Sequence, residues 1–114
     1  SEVKTLACPA SVDTIPTSAN KEDHVSMSMA AGLKAVRALD LARDVLAVEL
    51  LCACQAIDLL APLTTSTPLA RVHGMIRRRV PTLDDDRPPS RDLAEITRLV
   101  ASGDLERACA TKVN

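Results

Sequence analysis

The longest stretch without a strong helix breaker runs from Asn20 to Ala61, and it constrains the fold more than any other feature. It contains no proline and only one glycine, Gly32, which costs about 1 kcal/mol in a helix. Asn20 is a good N-cap residue, and Pro62 ends the stretch. We therefore predict one helix over residues 20–61, about 60 Å long at 1.5 Å per residue. Because a domain of 114 residues needs no helix of that length, the helix is expected to pack against polypeptide outside this sequence.

The second half of this helix has apolar residues on most of its circumference. At 100° per residue one polar stripe forms, and the other sides carry Leu39, Ala42, Val45, Leu46, Ala53, Ile57 and Leu60. A helix with so wide an apolar surface belongs inside a bundle. Glu49, Gln55 and Asp58 interrupt the run too often for a membrane span. The predicted fold class is therefore all-α, with one very long helix and shorter C-terminal helices as part of a larger helical bundle.

The chain divides into three segments around this helix. Residues 1–19 contain two prolines and no sustained periodicity, and we predict an extended or looped approach. Residues 62–114 form a small C-terminal helical region, with Thr67 capping a helix over about 68–79 and Ser90 capping one over about 91–101. Gly103 is placed to end the last helix. The residues after Gly103 are expected to be a frayed tail or one more short turn of helix.

Composition excludes several classes of partner. The formal net charge is −1 and no residue is aromatic, so the sequence offers no electrostatic attraction for nucleic acid or an acidic membrane, and no stacking platform for bases. The four cysteines, Cys8, Cys52, Cys54 and Cys109, lack the CxxC spacing of a zinc site, and no metal is predicted. Cys52 and Cys54 fall within the apolar helix, where cysteine behaves as a small hydrophobe.

The N-terminus and the cysteine content together predict a cytoplasmic protein. There is no basic region followed by an apolar run, so nothing marks a signal peptide. Unpaired cysteines are typical of a reducing compartment. A start at Ser1 without methionine indicates a fragment or a processed chain.

A group of charged residues stands at the predicted start of the long helix. With Asn20 as the cap, Lys21, Glu22 and Asp23 occupy the first turn, where carboxylates face the positive end of the helix dipole. Such a carboxylate either acts as a base toward a ligand or only stabilises the start of the helix. Spacing alone favours the second interpretation. Asp23 is expected to satisfy backbone donors, and His24 to pack against or bond a neighbouring chain. His24 has no second metal ligand nearby in sequence.

Three blocks of residues carry a family resemblance. They are Pro9-Ala10-Ser11-Val12-Asp13, Pro16-Thr17-Ser18-Ala19-Asn20 and Glu22-Asp23-His24-Val25-Ser26-Met27. Together they resemble the segment that opens the C-terminal part of the histidine ammonia-lyases, within the aromatic amino acid lyase family. The likeness continues more weakly at residues 45–50, 53–56, 80–81 and 86–87, and so covers most of the chain.

That resemblance implies a function for the complete protein. Family members are all-helical homotetramers that eliminate ammonia from an amino acid. They use 4-methylideneimidazol-5-one, an electrophile made from their own Ala-Ser-Gly backbone. The implied reaction converts L-histidine to urocanate, with the electrophile on an N-terminal portion absent from this sequence. The implied partners are that portion, other copies of the same protein and the amino acid substrate. The fragment alone is expected to be inactive.

Glu22 matches the family's active-site glutamate, which lies near the amino group of the substrate. Elimination requires a base for the β-proton and an anion to receive the ammonium, so the resemblance implies a catalytic and substrate-binding role for Glu22. Histidine lyases usually have Gln immediately before this residue, whereas here Lys21 stands at that substrate-binding position. A cation beside the carboxylate weakens it as a base.

Two alternatives stay open. The chain is either a helical assembly module that keeps the packing and has lost the chemistry, or part of a lyase or aminomutase acting on another amino acid. Lys21 favours the first alternative. Relatives acting on phenylalanine typically have Gln at the position of Glu22, and this Glu therefore favours histidine.

Three further features have structural interpretations. Glu49 lies on the apolar side of the long helix, and we expect an ion pair with an arginine outside this sequence. The tripeptide Ala101-Ser102-Gly103 spells the precursor of the family's electrophile, but it follows the Glu22 block instead of preceding it, and we interpret it as a helix C-cap. The run Arg77-Arg78-Arg79 is expected to be a solvated helix end.

Overall fold

A computed structural model describes residues 1–22 and 24–110. Within these residues the regular structure is helical, apart from one isolated backbone bridge between Thr17 and Glu22. The predicted all-α class is confirmed. The α-helices are α1 (Glu2–Leu6), α2 (Ser28–Leu59), α3 (Thr67–Arg77), α4 (Ser90–Ser102) and α5 (Asp104–Ala110). Two short 3-10 turns cover Ala10–Val12 and Ser18–Asn20.

Helix α2 is the long helix that the sequence predicts, but its predicted start is wrong. It begins at Ser28 instead of Asn20. At this observed start the carbonyl oxygen of Met27 accepts a hydrogen bond from the Ala31 amide at 3.0 Å. Its 32 residues span about 48 Å at 1.5 Å per residue. It ends at Leu59, two residues before the predicted end at residue 61. Before Ser28, Thr14 bonds to Val25 and Thr17 bonds to Glu22.

The first compact unit comprises residues 1–42. Residues 1–19 were predicted as an extended or looped segment. They contain α1, the first 3-10 turn and the beginning of the second, so that prediction is wrong in part. Arg37 Nη2 forms an ion pair with Glu2 Oε1 at 2.7 Å, and Lys34 Nζ donates a hydrogen bond to the carbonyl oxygen of Cys8. No described residue of this unit is buried. The unit therefore has no hydrophobic core of its own.

The second unit begins at Arg43 and has a core. Helix α5 packs against α3 and α4. The buried side chains come from α2, α3, α4 and α5 and from Val80 in the segment after α3. They are Ala47, Cys54, Ile76, Val80, Ile96, Leu99 and Leu105. Cys54 is buried as a small hydrophobe, as predicted, whereas Cys52 is exposed and that part of the prediction is wrong.

The ends of α3 and α4 lie within one or two residues of their predicted positions. Helix α3 starts at Thr67 with Ser66 as its N-cap and Pro68 in its first turn, and it ends at Arg77. Gly103 follows α4 in the left-handed conformation at φ 71°, which confirms the predicted C-cap. After it the chain forms α5, the second of the two predicted alternatives. No helix among the described residues is long and apolar enough to cross a membrane.

Candidate functional site

The residues before α2 form a closed loop, which we call the Thr17–Glu22 loop. The Thr17 amide donates to the Glu22 carbonyl oxygen and the Glu22 amide to the Thr17 carbonyl oxygen, both at 3.4 Å. Between them, Ser18, Ala19 and Asn20 have φ values of 51°, 55° and 67°. The left-handed conformation costs a non-glycine residue roughly 1–2 kcal/mol. Three such residues in succession mark a strained segment. Because backbone strain clusters at functional sites, the loop is a candidate site.

The side chains at the two ends of the loop also meet. The Thr17 hydroxyl donates a hydrogen bond to Glu22 Oε2. A hydroxyl bonded to an ionised carboxylate makes a stronger hydrogen bond than a neutral pair does. The carboxylate of Glu22 is therefore tied to its own loop, while the residue stays exposed on this chain.

A second threonine fastens the approach to the loop. The Val25 amide donates to Thr14 Oγ1 at 2.9 Å, and Thr14 Oγ1 lies 3.2 Å from the Val25 carbonyl oxygen, to which it donates. These bonds engage the backbone of Val25, three residues before α2 begins. Thr14 and Thr17 thus hold Glu22 and Val25 outside the helix.

The predicted placement of the site residues in a first helical turn is wrong. Asn20 is part of a 3-10 turn and caps no α-helix, and Lys21 and Glu22 lie in the Thr17–Glu22 loop. No acidic residue is present in the first turn of α2. The helix dipole of α2 consequently does not act on Glu22 at the range that sequence reasoning assumed.

The structure brings some of the predicted site residues together. Asn20, Lys21 and Glu22 share the loop and are all exposed, and His24 is exposed beside it. Asp23 lies outside the described residues. The predicted roles of Lys21, Glu22 and His24 stay predictions.

Sequence reasoning missed Thr14 and Thr17. The signal available in the sequence was a threonine on each side of Ile15-Pro16, followed by an asparagine, which tolerates a left-handed backbone. The partners of the two threonines are 11 and 5 residues away. Such pairings become visible only when the loop geometry is known.

The Ala101-Ser102-Gly103 tripeptide does not fit the family's electrophile. Ala101 and Ser102 belong to α4, and the Gly103 amide donates to the Val100 carbonyl oxygen at 3.3 Å. The Ser102 hydroxyl donates to the Leu99 carbonyl oxygen at 3.0 Å and lies 2.7 Å from Asp104 Oδ2. These atoms are engaged in ending one helix and starting the next, with no enclosed loop around them.

A polar cluster joins the end of α2 to α3 and the loop after it. Asp58 Oδ1 lies 2.7 Å from His73 Nε2, and Asp58 Oδ2 lies 2.7 Å from Arg77 Nη2. The Thr82 hydroxyl donates to Asp58 Oδ2 at 3.1 Å. Arg77 was predicted to be solvated, and this prediction is wrong because its side chain is only 13% exposed. Arg78 and Arg79 are exposed as predicted.

Other candidate groups are placed on the surface. Glu49 is exposed on this chain, and its predicted ion pair with an arginine outside the sequence stays a prediction. Within residues 1–22 and 24–110, no three side chains of His, Cys, Asp or Glu meet in a group that holds a metal ion. Burial raises the pKa of the Cys54 thiol, and the Arg77 guanidinium offsets this effect only in part. The raised pKa keeps this cysteine in its unreactive thiol form.

Comparison with known proteins decides the family. A sequence model described as aromatic amino acid lyase matches residues 1–78, well over half of the 114 residues. The chain belongs to the aromatic amino acid lyase family. The matched region contains the whole Thr17–Glu22 loop and all of α2.

Individual lyases in this family are similar to the chain in sequence. It is 52% identical over 106 residues to the histidine ammonia-lyase of Anaeromyxobacter dehalogenans, a span of 93% of this chain and 21% of that protein. It is 48% identical over 113 residues to the histidine ammonia-lyase of Gloeobacter violaceus, a span of 96% of this chain and 22% of that protein. The chain spans about a fifth of the length of these relatives.

Two solved structures are similar to this chain in fold. The crystal structure of histidine ammonia-lyase from Trypanosoma cruzi superposes with a TM-score of 0.88 at 40% identity over 93% of this chain. That of tyrosine aminomutase from Streptomyces globisporus superposes with a TM-score of 0.85 at 32% identity. This chain covers 21% of each of those structures.

Proposed function

We propose that this chain is the C-terminal part of a histidine ammonia-lyase, an enzyme that eliminates ammonia from L-histidine to give urocanate. The observation that carries the proposal is the 52% identity to a histidine ammonia-lyase over 93% of the chain. Identity to the tyrosine aminomutase is lower, at 32%, and this difference favours histidine over another amino acid. The isolated 114-residue chain is proposed to be inactive.

Glu22 is proposed as the catalytic residue of this segment. Its carboxylate receives the ammonium group of the substrate and takes part in proton transfer. Its exposure on this chain supports that role, because a group that meets a substrate must be reachable from outside its own segment. Lys21 is proposed to contact the substrate, while Asn20, Asp23 and His24 give structural support near the site.

The electrophile is proposed to lie on polypeptide outside these 114 residues. The Ala101-Ser102-Gly103 atoms are engaged in helix capping, which supports placing 4-methylideneimidazol-5-one elsewhere. The rest of the active site is then formed by that polypeptide and by other copies of the protein. A cytoplasmic homotetramer that degrades histidine is the proposed complete form.

The test is a Glu22→Gln substitution in the complete protein. Gln keeps the size of the side chain but carries no negative charge for the ammonium. General acid–base groups contribute about 100-fold to 10,000-fold, so kcat should fall by at least about 100-fold. Urocanate formation is followed by ultraviolet absorbance, and sedimentation checks that assembly is unchanged.

Glu106→Gln is the matched control, since Glu106 is exposed and lies outside the proposed site. Its activity should equal that of the unsubstituted protein. Unchanged urocanate production in Glu22→Gln would remove Glu22 from the mechanism. An unsubstituted complete protein that assembles but releases no ammonia from any amino acid would favour the assembly module instead.

A further inference from the structure

Among residues 1–22 and 24–110, the Thr17 hydroxyl holds the Glu22 carboxylate by a side-chain hydrogen bond. Its hydrogen bond to Glu22 Oε2 accompanies two backbone hydrogen bonds between the same two residues. Backbone and side chain therefore fix the same pair. A free glutamate side chain would have to lose its rotamer freedom at each encounter with a substrate, and this arrangement removes most of that freedom beforehand.

The loop between the two residues is held against its own strain. Ser18, Ala19 and Asn20 all have positive φ values, and such a conformation persists only where surrounding contacts enforce it. Those contacts are the Thr17–Glu22 bonds and a hydrogen bond of 3.2 Å from the Lys21 amide to the Ser18 carbonyl oxygen. The strained turn returns the chain on itself and brings the Glu22 side chain beside Thr17.

We propose that Thr17 is a positioning residue for Glu22. Its hydroxyl holds Oε2, so that the other carboxylate oxygen, Oε1, is presented to the amino group of the substrate. Thr17 acts through Glu22 and touches no reacting atom. This inference rests on the proposed function, in which Glu22 belongs to the active site. Preorganisation of this kind lowers the barrier by fixing geometry before the reaction begins.

Thr17→Val tests the role of the hydroxyl in the complete protein. Valine keeps the β-branched shape and removes the donor, so Glu22 loses its tether while the backbone pairing is retained. Loss of a hydrogen bond to a charged group should lower kcat for L-histidine about tenfold or more, with KM changed less than about threefold. Thr17→Ser restores a hydroxyl and should recover activity to within about threefold.

Thr5→Val is the matched control for loss of a threonine hydroxyl. The Thr5 hydroxyl donates to the Glu2 carbonyl oxygen at 2.7 Å in α1, outside the Thr17–Glu22 loop. Its removal should leave kcat unchanged. A fall in kcat as large as that of Thr17→Val would show that any hydroxyl loss disturbs the protein, and would overturn the inference.

A double-mutant cycle separates positioning from a structural role. With Glu22→Ala in place, the hydroxyl has no carboxylate to hold, and adding Thr17→Val should change kcat less than about twofold. If Thr17→Val lowers kcat in the Glu22→Ala background by as much as it does alone, the inference is overturned.

The outcomes distinguish the two proposals. Loss of activity in Glu22→Gln with none in Thr17→Val overturns the role of Thr17 alone. Unchanged urocanate production in Glu22→Gln overturns the proposed role of Glu22, and the role of Thr17 falls with it. A complete protein that assembles but releases no ammonia overturns the proposed function.

Discussion

Single residues show two different uses of a carboxylate in this chain. Asp58 is only 19% exposed and is held by His73, Arg77 and Thr82. Its burial raises the pKa of the carboxyl, but the hydrogen bonds from His73 and Thr82 and the guanidinium of Arg77 outweigh it and lower the pKa below its usual value. Glu22, in contrast, is exposed and bonds to the hydroxyl of its own loop. Asp58 is held by its own fold, whereas the proposed role of Glu22 is to contact a substrate.

Asp58→Asn should destabilise the fold. The amide keeps the shape but loses the charge that Arg77 faces, and the Arg77 Nε atom already has no hydrogen-bond partner within the described residues. An uncompensated, nearly buried guanidinium costs several kcal/mol, and partial exposure reduces the expected loss to about 2 kcal/mol. Urea denaturation followed by circular dichroism measures it. Asp85→Asn, at an exposed position, should stay within about 0.5 kcal/mol of the unsubstituted protein.

The contribution of Asp58 should also depend on pH. Its folded-state pKa is lowered, so the folded state favours the ionised form. The stabilisation is therefore complete above the unfolded-state pKa, near 3.9, and is lost as pH falls through the folded-state value. The difference in unfolding free energy between the unsubstituted protein and Asp58→Asn should be smaller at about pH 3 than at about pH 6. Urea denaturation at those two pH values measures it. A difference that grows toward acid pH would contradict this assignment.

At the scale of elements, local signals predicted the helix ends that depend on neighbours in sequence. Pro68 and Gly103 act within one turn, and the ends of α3 and α4 were predicted within about two residues. The start of α2 was not, because Thr14 and Thr17 withdraw the preceding residues from the helix through bonds to residues 11 and 5 positions away. The same bonds shape the candidate site. Glu22 was predicted as a site residue from the family resemblance, whereas the proposal for Thr17 required the folded loop.

Gly103→Ala tests the junction of α4 and α5. Gly103 has φ 71°, where a Cβ atom is strained, and that atom would also lie 3.1 Å from Arg107 Nη1. The substitution should destabilise the protein by about 1 kcal/mol. Gly74→Ala is the matched control, since a Cβ there meets nothing within 4 Å inside α3 and should stabilise by about 0.5–1 kcal/mol. Thermal denaturation of both variants should show shifts of opposite sign.

At the scale of the whole molecule, the distribution of apolar surface indicates that the chain is part of a larger assembly. The described residues of unit 1–42 contain no buried side chain, although α2 carries large apolar residues there. Leu33 is 65% exposed and Leu39 is 61% exposed. The chain spans about a fifth of its relatives, so the polypeptide needed to cover this surface exists in proteins of this family.

Leu33→Asn with Leu39→Asn should therefore weaken the proposed homotetramer. Covering one leucine contributes roughly 1.5–3 kcal/mol, so the pair should cost about 4 kcal/mol of association free energy in each interface that it enters. Analytical ultracentrifugation of the complete protein should show smaller species, while circular dichroism keeps its helical signal. Leu33→Met with Leu39→Met conserves apolar volume and should leave the assembly intact. An Asn variant that sediments like the unsubstituted protein would mean that this part of α2 faces solvent in the complete protein, and that the missing core of residues 1–42 is supplied from another side.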